Sequence, residues 1–163
     1  MTRNRSAILS LLLAATALGA VATANARVQA RAVVKTAFVK ALGKPIVVDA
    51  HGRTLYEFES DPPGFATCVG DEPAAGCGRA WPPYTTTGAP QAGTGIRSAL
   101  LGTTKRKDGR IQVTYKRHPL YYFAGYGGTP ADKKAGDAHG QGFYNLWYVL
   151  SPSGAIVRTI PKS

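Results

Sequence analysis

A five-residue pattern occurs twice and does most to limit what this chain can fold into. Thr54-Leu55-Tyr56-Glu57-Phe58 returns as Pro119-Leu120-Tyr121-Tyr122-Phe123. Each copy follows a turn-forming segment and a run rich in β-branched residues, so the two read as equivalent strands of two related β-units. Alternation sets Tyr56 and Phe58 on one face and Leu55 and Glu57 on the other, with the aromatic face expected in the core.

The flanking sequence fills in both units. Residues 33–40 and 45–49 read as strands, and Asp49-Ala50-His51-Gly52 supplies turn chemistry, so 46–59 is expected to be a hairpin. Asp61-Pro62-Pro63-Gly64 stops that strand and opens a long irregular loop, 62–83. Its far end, Trp81-Pro82-Pro83-Tyr84, cannot be mid-helix. Trp81 reads as a core plug, with ligand stacking as the alternative. Residues 100–104 and 110–115 form a second hairpin around Asp108-Gly109. A turn at 116–119 leads into the second aromatic strand, 120–124. A glycine-rich loop covers 125–142, and a last hairpin, 143–150 and 155–160, turns at Ser151-Pro152-Ser153-Gly154. One short helix is expected near 96–101. The fold class is all-β: antiparallel hairpins from two related units, about 33–84 and 98–160, in one compact sandwich- or barrel-like domain over 27–163.

The first residues read as an export signal. Arg3 and Arg5 precede an apolar run, 8–21, and Ala24-Asn25-Ala26 is a small-x-small cleavage site, giving a leader of 1–26. The apolar run is short for crossing a bilayer, which takes about 20 residues. A periplasmic or secreted protein with no membrane span after cleavage is therefore expected. In such a compartment Cys68 and Cys77 read as a disulfide. A metal or redox pair is the alternative, but the spacing is wider than C-x-x-C and no histidine lies nearby.

The chain carries 20 Lys and Arg against 9 Asp and Glu, a formal charge of +11. Lys105, Arg106, Lys107, Arg110, Lys116 and Arg117 crowd one stretch with a single acid, Asp108, among them. Such a run is either an ordinary solvated surface or a face that meets anionic envelope polysaccharide or lipid head groups. Nothing in the chain matches a nucleic-acid recognition motif.

Several motifs together resemble one family. Val48-Asp49-Ala50, then Gly52, Thr54-Leu55-Tyr56, the cysteine loop and Trp81-Pro82-Pro83 are followed by Asp108-Gly109, Gln112-Val113-Thr114-Tyr115 and His118-Pro119-Leu120-Tyr121-Tyr122-Phe123. Gly136-Asp137 and Gly140-Gln141-Gly142 precede Trp147. This pattern resembles the secreted-repeat proteins, often lipoproteins, named for a Tyr-x4-Asp motif. The resemblance implies an exported protein and brings no catalytic residues with it. Tyr56 and Asp61 stand as the first Tyr-x4-Asp pair. In the second copy an insertion, 126–131, moves the acid equivalent to Asp132, which leaves Tyr121 and Asp132 as the second pair. Arg117 stands where the family commonly carries glycine, and no cysteine for lipid attachment follows the leader.

The remaining chemistry is sparse. His51, His118 and His139 are the only histidines; if the repeats pair symmetrically they could converge on copper or zinc, with Asp61, Asp132 or Asp137 as co-ligands. Asp132, Asp137 and the 140–142 backbone could instead suit calcium. Independent turn histidines and a hydrogen-bonded polar turn are the plainer readings. No nucleophile motif or phosphate loop is present. The expectation is a non-enzymatic envelope binding or structural module without a cofactor. A metal-binding or redox-linked periplasmic protein using the histidines is the alternative.

Overall fold

The structure is a computed structural model that describes residues 31–70 and 77–161. The expected leader, 1–26, lies outside the described residues.

The first unit opens with β1 (Val33–Val39), a 3-10 turn (Lys40–Leu42) and β2 (Lys44–Asp49). Gly43 closes that turn at φ 65°, where a glycine carries no Cβ penalty, and β1 and β2 then pair antiparallel from Val39↔Lys44 to Val34↔Asp49. β3 (Tyr56–Phe58) follows, then a one-turn helix α1 (Cys77–Ala80) and β4 (Gln91–Ala92), which runs parallel to β1. A second 3-10 turn at Ser98–Leu100 meets the expected short helix. β5 (Leu101–Lys105), β6 (Ile111–Tyr115) and β7 (His118–Pro119) form an antiparallel meander, with Gly109 at φ 83° in the expected Asp-Gly turn. β8 (Trp147–Leu150) and β9 (Ile156–Val157) form the last hairpin. The all-β reading holds, as three small sheets with little helix.

The expected 46–59 hairpin forms only at its turn. Asp49 Oδ1 accepts the His51 and Arg53 amides, Gly52 takes φ 84°, and one bridge joins Val48 to Thr54. The chain then leaves β2, and β3 pairs with β8 across Tyr56↔Val149 and Phe58↔Trp147. The physical reason lies in burial. Leu55, Tyr56 and Glu57 are all 0% exposed, so this strand needs cover on both faces and hydrogen-bond partners on both edges. It finds them between β8 and Tyr121. The second aromatic strand shrinks to a single bridged residue, Tyr121, held between Tyr56 and Pro83. Pro82, Pro83 and Pro119 offer no amide N–H, which cuts the ladder short.

The Leu-Tyr alternation now has a meaning that one buried face did not supply. Leu55 and Leu120 enter one apolar cluster with Val113, Tyr115 and Leu150. Tyr56, Tyr121 and Phe123 enter a second cluster with Trp81 and Trp147. Successive residues of each copy thus feed two cores on opposite sides of the central strands. Trp81 is the expected core plug: its ring stacks on Trp147 with centroids 3.8 Å apart and meets Tyr56 edge-on at 5.3 Å.

Candidate functional site

The motif tyrosines sit back to back at the centre of the molecule. Tyr56 N donates to Tyr121 O at 2.8 Å, and Tyr121 N donates to Tyr56 O at 2.9 Å. Their side chains do not bond to the aspartates of their own copies. Tyr56 Oη donates to Asp132 Oδ2 at 2.5 Å, and Tyr121 Oη donates to Asp61 Oδ2 at 2.7 Å. The Tyr56–Asp61 and Tyr121–Asp132 pairs expected within each repeat are therefore exchanged between repeats. Exchange follows from the strand order, because each aromatic strand pairs with the closing segment of the other unit: β3 with β8, and Tyr121 with Pro83.

Both clasps are reinforced. Gly140 N donates to Tyr56 Oη at 3.2 Å, and Asp132 Oδ1 accepts the His139 amide and lies 2.9 Å from His139 Nδ1. Asp61 Oδ1 accepts the Thr67 amide and hydroxyl. Burial, with the neighbouring carboxylate in support, raises the hydroxyl pKa of Tyr56 well above its ordinary value, and the same causes raise that of Tyr121. Burial also raises the Asp132 carboxyl, against the hydrogen bonds it receives. A phenol held this firmly in its protonated form is a donor that locks a carboxylate, and this is the structural reading of the motif.

Asp49 anchors a third tyrosine contact. Tyr122 Oη donates to Asp49 Oδ2 at 3.0 Å, and the Arg53 guanidinium lies 4.2 Å above the Tyr122 ring. Burial and the Asp49 charge raise Tyr122, and push the adjacent Tyr84 up to about 12.

Glu57 is the site residue that sequence reasoning missed. It is fully buried, and neither carboxylate oxygen accepts a hydrogen bond within the described residues. His118 Nδ1 lies 3.4 Å from Oε2, at ion-pair distance. Burial raises the Glu57 carboxyl, with the His118 contact opposing it. The one available signal was its place beside Leu55 in the alternation, but a glutamate there reads as solvent-facing until the second core is seen.

The histidines do not assemble. His118 faces Glu57, His139 faces Asp132, and His51 occupies the exposed turn after β2. Among the described residues no group of three or more His, Cys, Asp or Glu could hold a metal ion. Asp137 is used by the Lys133 and Lys134 amides, which lower its carboxyl pKa.

The basic stretch divides. Arg106 is buried and donates to Gln112 Oε1, to Cys68 O at 2.8 Å and to Asp108 at 3.1 Å, so it is removed from the expected contact face. The reason is that the Cys68 carbonyl and the Gln112 amide oxygen point inward and need a donor. Arg110 is bonded to Asp108. Lys105, Lys107, Lys116 and Arg117 are exposed. Cys68 and Cys77 form the expected disulfide, with Cα atoms 5.4 Å apart. Beside it Ala80, Trp81, Tyr126, Phe143, Tyr144 and Trp147 line an open recess of about 190 Å³.

Fold and clasp together define a β-protein in which each motif tyrosine is bonded to the aspartate of the other motif copy. Residues 102–151 match a family model, Lipoprotein_15, described as a secreted repeat of unknown function. The matched segment holds Tyr121, Asp132 and Trp147, so the family that the motifs resemble is met over the second unit. No curated protein and no solved structure matches the chain. No helix among the described residues is long and apolar enough to cross a membrane.

Proposed function

We propose that this is a non-enzymatic binding or structural module of the cell envelope that meets an anionic partner through exposed cations. The observation that carries the reading is electrostatic. Lys105, Lys107, Lys116 and Arg117 are exposed, and none is in an ion pair among the described residues, whereas Arg106, Arg110 and Arg158 each face a carboxylate. The cations lie at both ends of the five-residue strand β6, roughly 17 Å apart at the usual strand rise, which suits an extended polyanion better than a compact one. The motif tyrosines and aspartates are committed to holding the repeats together, which leaves the motif without a free reactive group. The secreted-repeat match over 102–151 supports an exported setting.

The test is salt-dependent retention on immobilised dextran sulfate. Replacing Lys105, Lys107 and Lys116 by Gln should lower the salt needed for elution, because each neutralised contact releases fewer counterions. An unchanged elution point would remove the basic face from the account.

A further inference from the structure

We infer that the anionic partner is a phospholipid surface and that Phe65 is the apolar anchor that enters it. This rests on the basic-face reading above and commits it to one partner class.

Phe65 is 67% exposed, yet its backbone is tightly held. Its amide closes a turn onto Pro62 O at 2.8 Å, with Gly64 at φ 84°. Gly64 N donates to Arg117 O at 2.7 Å, and Arg117 Nη2 donates to Pro63 O at 3.1 Å. From the other side Thr104 Oγ1 donates to Gly64 O at 2.6 Å. Past the ring, Thr67 is tied to Asp61 and the Cys68 carbonyl to Arg106. The phenyl ring therefore stands on a held tip next to exposed Pro62 and Pro63, with the Arg117 guanidinium bonded to the Pro63 carbonyl two residues before it.

Cations outnumber unpaired carboxylates around the tip. Asp108 is paired with Arg106 and Arg110 and Glu59 with Arg158, whereas Asp61 keeps its charge and is held by the neutral donors Tyr121 and Thr67. Arg117, Lys116, Lys105 and Lys107 have no ion pair among the described residues. A soluble polyanion needs only such cations. A ring fixed near such cations can sit at the headgroup–acyl boundary of a bilayer while the cations meet the phosphates. Phe65 extends the exposed Pro62 and Pro63 into one apolar tip, and contiguous exposed apolar surface of this kind marks a contact site.

The experiment compares Phe65→Ser with the wild-type chain recovered from the exported fraction. Probes are phosphatidylglycerol–phosphatidylcholine vesicles, phosphatidylcholine vesicles, and dextran sulfate. Phe65→Ser should partition about tenfold less into the anionic vesicles, as expected for losing one buried aromatic ring, and elute unchanged from dextran sulfate. Wild type should bind phosphatidylcholine alone far more weakly. Because Phe65 is exposed, far-UV circular dichroism should be the same for both proteins. Equal vesicle binding by both proteins overturns the inference, as does equal binding of wild type to both vesicle types. Wild type that binds dextran sulfate but no vesicle overturns the inference and leaves the polyanion reading standing. Wild type that binds neither overturns both.

Discussion

Tyr56 donates a hydroxyl hydrogen bond to Asp132 at 2.5 Å, so a donor in the first motif copy finds its acceptor in the second. Asp132 is 2% exposed and would lose its strongest donor without that phenol. The two copies of the motif are thus bonded to each other rather than each within itself, and the motif is read as a clasp between them.

The clasps should differ in strength. Tyr56→Phe leaves a buried carboxylate short of a donor and should destabilise the fold by about 1–3 kcal/mol. Tyr121→Phe should be milder, because Asp61 is partly exposed and retains both Thr67 contacts. Urea unfolding midpoints of the two variants check the order. A Tyr56→Phe, Asp132→Asn double-mutant cycle should show coupling, whereas Tyr56→Phe with Asp61→Asn should be close to additive.

Glu57→Gln should stabilise the protein at pH 8 by roughly 1–3 kcal/mol, because it removes a carboxylate charge that burial disfavours and that His118 offsets only in part. Burial raises the wild-type carboxyl above its ordinary value of 4.5, so the folded state holds the proton more tightly than the unfolded chain does. That contribution is fully present below pH 4.5 and is lost as pH rises through the raised value. The advantage of Glu57→Gln should therefore shrink as pH falls toward 5. Thermal unfolding across that range measures it, and an advantage independent of pH would argue against a buried charge.

Arg106→Gln should destabilise by about 3 kcal/mol, the usual cost of breaking a buried charged network. Lys105→Gln, one residue away and exposed, should change stability by under about 0.5 kcal/mol. Equal effects at the two positions would contradict the division of the basic stretch.

The turn into β7 holds Lys116 at φ 48° and Arg117 at φ 68°, the left-handed region that costs a non-glycine residue about 1 kcal/mol. Arg117→Gly removes that cost and also the guanidinium contact to Pro63 O, which is exposed and weak. A small net gain in melting temperature is expected, with weaker retention on dextran sulfate.

Removing the disulfide by Cys68→Ser should cost roughly 2–3 kcal/mol, from the freedom regained by the unfolded loop. Comparing the denaturation midpoints of the variant and the wild type measures it, with the reduced wild type as a control.

Much of this architecture was legible in local chemistry. Strand positions came from β-branched runs, the turns at Asp49–Gly52 and Asp108–Gly109 from residues that tolerate or favour those angles, and the Cys68–Cys77 bridge from a single pair of cysteines behind an expected export signal. Trp81 was legible as a core residue because two following prolines exclude a helix. The burial of Arg106 was not, since a cation in a basic run looks solvated until an inward carbonyl is found to need it.

What the residue order determined alone is the two-fold repetition, the all-β class and the identity of the paired groups as tyrosine and aspartate, because period-two alternation and turn propensity act over a few neighbouring positions. Which aspartate meets which tyrosine was decided only in three dimensions. That choice depends on β3 leaving β2 for β8, a pairing driven by the need to cover both faces of Leu55-Tyr56-Glu57, and no local signal carries a requirement satisfied by residues nearly a hundred positions away.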